Sequence, residues 1–86
     1  MIQINYKPSF VRSFKSLESD LQVEILEKIG LLKIKKNHEI LKVHKLHGKL
    51  SGCYGSSVNY KIRIVFQYES KNEIVLLTIG DHDVYK

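Results

Sequence analysis

The chain has 86 residues, 43% hydrophobic and 27% charged, with a formal net charge of +5. That length holds one domain, residues 1–86, burying about 60–65% of its unfolded surface, and the composition excludes a disordered chain. The single cysteine, Cys53, excludes an internal disulfide, so nothing argues for secretion. The first six residues lack a charged stretch followed by an apolar run, so they do not read as a signal peptide. The longest aliphatic run, residues 74–77, is far too short to span a bilayer. A small cytoplasmic domain with no membrane partner is expected.

Ile2, Ile4 and Tyr6 alternate with polar residues, which predicts a first strand. Pro8 suits a helix's first turn, and Phe10, Val11, Phe14 and Leu17 make one apolar face over about 8–17. Ser19 and Gln22 have capping-box spacing and predict a second helix start. Leu21, Ile25, Ile29 and Leu32 extend its apolar stripe, so this helix is expected to run to about Lys36 and form a hairpin with the first. Residues 37–52 read as a structured basic loop with room for a short strand near 41–46. Strands are predicted at 53–58, 60–69 and 73–79, with Ser70, Lys71 and Asn72 as the tight turn between the last two. In the long strand Tyr60, Ile62, Ile64, Phe66 and Tyr68 share one face; Lys61, Arg63, Val65 and Gln67 share the other. The last strand is apolar on both faces and is expected to be central. The result is an α+β fold of order βααβββ, an antiparallel sheet with an N-terminal helical hairpin packed on one face. The opposite face, carrying Arg63, is expected to be partly open.

Charge is unevenly placed. Residues 33–63 hold eight basic groups against Glu39 alone, net +7, between a neutral N-terminal third and a C-terminal segment of net −2. Such a concentration attracts a nucleic acid or an acidic protein, although a lysine-rich solvated face is the plainer alternative. Zinc is not expected: four histidines are present, but the lone cysteine and missing ligand pairs argue against a structural site. Cys53 reads as a small buried hydrophobe.

Four segments then appear in order: His44-Lys45-Leu46-x-Gly48, Gly52-Cys53-Tyr54, Tyr60-x-x-Arg63-Ile64-Val65-Phe66 and Ile79-Gly80-x-His82-x-Val84-Tyr85. In these, and along its whole length, the chain resembles the RelE/ParE superfamily of toxins from toxin–antitoxin pairs, closest to the RelE/StbE and YafQ-like branch. The resemblance implies a microbial-ribonuclease-like sheet. It implies ribosome-dependent cleavage of messenger RNA in the decoding site, with the ribosome and mRNA as partners. It also implies a cognate antitoxin that wraps and blocks the toxin, and a complex that meets operator DNA through that antitoxin.

RNA supplies its own nucleophile, the 2′-hydroxyl. The protein must supply a base for its proton, cations for the phosphorane oxygens and an acid for the leaving 5′-oxygen, with no metal or cofactor. The resemblance places Arg63 at the family's phosphate-contacting arginine, His82 at a catalytic histidine expected to be the main proton-transfer residue, Tyr85 at an aromatic that stacks or helps that transfer, and His44, its competitor for the role, at an active-site histidine of YafQ-like members. Each has a duller alternative: a salt bridge for Arg63, a surface hydrogen bond for His82, a tail anchor for Tyr85 and a loop-ordering bond for His44. Lys42, Lys45, Lys49 and Lys61 are expected to contact phosphates of RNA or the ribosome without reading bases.

The chain departs from RelE proper, which has lysines where Gly55 and Ser57 stand and a second arginine near Asp81 and His82. It departs from YafQ-like members at Ser57 and Lys61. Two further alternatives stay open: a ParE-like toxin that inhibits DNA gyrase, and an inactive module that only binds an antitoxin. ParE-like chains generally lack the ending formed by His82 and Tyr85.

Overall fold

The alternating apolar residues at the N-terminus form β1 (Gln3–Tyr6) in the computed structural model, which describes residues 1–81. There follow α1 (Pro8–Lys15), α2 (Ser19–Leu32), β2 (His44–Lys45), β3 (Tyr54–Ser57), β4 (Ile62–Ser70) and β5 (Glu73–Asp81). Short 3-10 turns lie at Lys35–His38 and Gly48–Leu50. The strands make one sheet of order β1-β5-β4-β3-β2, so β5 is an interior strand as its apolar run requires.

The expected α+β class holds, and the order βααβββ needs two corrections. A fifth strand is present, the two-residue β2, within the segment that had room for one. The sheet is also not wholly antiparallel, because β1 runs parallel to β5. The chain leaves β1 directly into α1, which crosses over β5. The Lys7 amide donates to the Leu76 carbonyl at 3.0 Å, and the Ser9 hydroxyl to that of Leu77 at 2.7 Å. The two parallel strands are joined through all the elements between them, a connection far longer than a parallel pair requires.

The helices cover one face of the sheet. Phe10 of α1 and Ile25, Ile29 and Leu32 of α2 pack with Ile64, Phe66, Ile74, Leu76 and Ile79. The predicted stripe at 25, 29 and 32 is therefore the buried side of α2. The ends of α2 differ from expectation. Ser19 is its first residue, but no capping box forms; the Gln22 amide instead donates to the carbonyls of Phe14 and Leu17, at 2.9 and 3.1 Å. The helix stops at Leu32 rather than Lys36, since Ile34 is extended. Asn37 Nδ2 and His38 Nε2 then reach back to the carbonyls of Leu31 and Leu32, at 3.0 and 2.8 Å, satisfying acceptors that a helix end leaves open.

The long strand begins at Ile62, two residues later than expected. Tyr60 does not share the core face; it stands 92% exposed in the loop before β4. The rest of the face assignment holds, with Ile64 and Phe66 in the core and Arg63, Val65 and Gln67 opposite. Val65 is itself only 1% exposed, so the second face is covered at its centre. Pairing between β4 and β5 slips between Val65, opposite Thr78, and Phe66, opposite Leu76. Leu77 is thus the extra residue of a bulge, and the slip places Thr78 and Gly80 on the face that carries Arg63.

Candidate active site

Register defines two transverse rows on the face away from the helices. His44 lies opposite Gly55, which lies opposite Val65, which lies opposite Thr78. Ser57, Arg63 and Gly80 form the next row. Side chains opposite one another in a sheet share a face, so His44 and Arg63 rise from the same side. They are two strands and two residues apart, about 10 Å across the sheet and about 7 Å along it. That spacing lets two long side chains approach one phosphodiester from different directions.

His44 is held by its own neighbourhood. Its Nδ1 lies 2.8 Å from the carbonyl oxygen of Lys42. A carbonyl only accepts, so Nδ1 is the donor, and in the neutral ring the lone pair is at Nε2. Lys42 is able to offer that carbonyl because its backbone is left-handed, with φ 57. This conformation costs a non-glycine residue about 1–2 kcal/mol. The Lys42 amide donates to the Glu39 carbonyl at 3.1 Å and the Val43 amide to that of His38 at 2.9 Å, which brace the strained residue. The duller alternative for His44, a loop-ordering bond, is thus present, and it also orients the ring as a proton acceptor needs.

Arg63 makes no salt bridge with a carboxylate among the described residues. Its guanidinium Nη1 donates to the backbone carbonyls of Asn59 and Ile62. Asn59 organises this turn. Its side-chain Oδ1 accepts from the amides of Lys61 and Ile62, at 2.9 and 2.8 Å, and its Nδ2 donates to Glu24 Oε1 of α2 at 2.7 Å. A half-buried arginine is therefore tied to the helix layer through one asparagine. Sequence reasoning missed Asn59. The available signal was an Asn between two strand patterns, where its side chain can close a turn on its own backbone.

The four expected phosphate-contacting lysines, Lys42, Lys45, Lys49 and Lys61, are all exposed. Lys45 lies on β2, opposite Tyr54, and so points to the other side of the sheet from His44. Lys49 sits in the 3-10 turn that starts at Gly48, whose φ of 68 favours glycine. His47 is exposed at that turn's start, His38 is committed to the end of α2, and Cys53 is half-buried. His82 and Tyr85 lie outside the described residues. No helix among the described residues is long and apolar enough to cross a membrane.

No protein-family model matches the sequence, and no curated protein matches it. Solved structures do. YafQ from E. coli strain BL21(DE3) superposes with a TM-score of 0.72 at 12% identity, over 98% of this chain and 97% of that one. The archaeal RelE–RelB complex from Pyrococcus horikoshii gives 0.72 at 20%, over 93% of each chain. The YoeB–YefM complex from Staphylococcus aureus gives 0.73 at 22%, over 95% of this chain and 98% of that one. End-to-end coverage by chains this different in sequence shows a shared architecture, and the chain has a RelE-like fold.

Proposed function

We propose that this chain is the toxin of a toxin–antitoxin pair and a metal-independent endoribonuclease that cuts messenger RNA on the ribosome. The observation that carries the reading is the placement of His44 and Arg63, both within the segment of net +7, on one sheet face of a RelE-like fold. His44, with its lone pair at Nε2, takes the 2′-hydroxyl proton. Arg63 leaves the Asn59 and Ile62 carbonyls for the phosphorane oxygens, which its planar fork can grip in two places. His82 and Tyr85 are the proposed partners for the second proton transfer. Lys42, Lys45, Lys49 and Lys61 hold the polyanion, and a cognate antitoxin covers the Arg63 face; operator DNA is met only through that antitoxin.

The test is induction of the chain alone and with a co-expressed antitoxin, followed by mapping of message ends. The expected result is growth arrest relieved by the antitoxin. The cut ends are a 2′,3′-cyclic or 3′-phosphate and a 5′-hydroxyl, because the RNA's own 2′-oxygen attacks. One observation favours a second reading: Arg63 already serves as a turn staple, as an inactive antitoxin-binding module would use it. Intact messages and normal growth at confirmed soluble levels support that module instead.

A further inference from the structure

A cavity of about 280 Å³ opens between α2 and the turn before β4, and it is lined by cations from three separate elements: Lys28, Lys42 and Arg63. Ser57 adds a hydroxyl, and no carboxylate lines it among the described residues. Glu24 binds Asn59 without lining the cavity. Two large side chains at its rim are left in water, Tyr60 at 92% and Ile40 at 77% exposure. An aromatic ring held out beside clustered cations has little to gain from folding and much to gain from a flat ligand. The volume is just below the usual range for ligand pockets and fits one nucleotide rather than folded RNA.

We propose that this cavity binds a single nucleotide of an RNA strand, with its base stacked on Tyr60 and its phosphates held by Lys28 and Lys42. Lys42 joins the cavity to the sheet face, since it lines the one and its carbonyl orients His44 on the other. Arg63 likewise lines the cavity and rises from the row beside His44. Lys42 and Arg63 are thus common to the cavity and the candidate active site. The assignment rests on the nuclease reading for the identity of the strand, not for the existence of the site.

The test uses a single-stranded 2′-O-methyl hexaribonucleotide, which lacks the nucleophile and cannot be cut, titrated into the full chain and followed by amide shifts. Shifts are expected around residues 28, 40–42 and 57–63. Tyr60→Ala weakens binding about 5- to 160-fold, the range for one lost base stack, and Tyr60→Phe restores it. Lys28→Gln lowers the slope of log affinity against log salt by about 0.7. Unchanged affinity in Tyr60→Ala, shifts confined to other regions, or no binding at millimolar oligonucleotide overturns the proposal. So does a hexaglutamate peptide that binds equally well and ignores Tyr60→Ala, which would mark an acidic-protein site. Message cleavage by the wild type is scored separately. A chain that cuts but fails this titration loses the subsite and keeps the nuclease reading; one that binds but does not cut does the reverse.

Discussion

At the scale of single residues, the candidate chemistry depends on side chains that hydrogen-bond to backbone carbonyls. Lys42 accepts the Nδ1 proton of His44, and Asn59 and Ile62 accept from Arg63. The first arrangement predicts the Nδ1–H tautomer for the neutral His44 ring, read directly from its ring nitrogen shifts. Lys42→Gly keeps that tautomer because glycine accepts φ 57, whereas a β-branched Lys42→Val shifts it. Equal tautomer populations in the wild type would remove His44 as an oriented base. The second arrangement makes Asn59 a stability determinant. Asn59→Ala leaves the amides of Lys61 and Ile62 and the carboxylate of Glu24 without their partner, for a loss of about 1–3 kcal/mol by denaturant unfolding. A change within experimental error would mean that solvent replaces the whole network.

Among the elements, β4 carries most of the design. Its core face puts Phe66 against Tyr54, ring centroids 5.6 Å apart, and against Tyr68 at 5.8 Å. Phe66→Ala is expected to cost about 3–5 kcal/mol. Burial, and then the neighbouring Tyr54, push the Tyr68 phenol above its ordinary value near 10. A raised folded value means that the native state holds this proton longer than the unfolded chain. Stability is therefore unaffected below about pH 10 and falls as pH rises through the folded value. The Tyr68→Phe variant should show a shallower alkaline loss in parallel unfolding curves; an identical slope would remove Tyr68 as its source. Much of this element was legible in advance. Alternation at 62, 64, 66 and 68 against 63, 65 and 67 is a local signal, and so is the helical stripe at 25, 29 and 32. The parallel seat of β1 was not, because periodicity reports which face is buried and not which way a neighbour runs. Tyr60 fits the alternation as well as Ile62 does, and only the turn closed by Asn59 takes it out of the strand. That turn in turn depends on Glu24 arriving from α2, 35 positions away in sequence.

For the whole molecule, two layers divide the work. The helices close one side of the sheet, and the other side presents His44 and Arg63, while Lys45 of the basic segment points to the opposite side. Lys42, Lys45 and Lys49 are exposed from loop, strand and 3-10 turn. Neutralising all three is expected to weaken ribosome binding and to flatten its salt dependence by roughly two to three in the log–log slope. An unchanged slope would place the polyanion elsewhere. The most direct measurement is single-turnover cleavage of messenger RNA on programmed ribosomes by the wild type and by Arg63→Ala. The wild type is expected to leave 5′-hydroxyl ends without added metal beyond what the ribosome holds. Arg63→Ala is expected to lose about 10²–10³ in rate, with ribosome affinity retained. Intact message with the wild type, 5′-phosphate ends, or an Arg63→Ala variant that cuts at full rate would contradict the proposed chemistry.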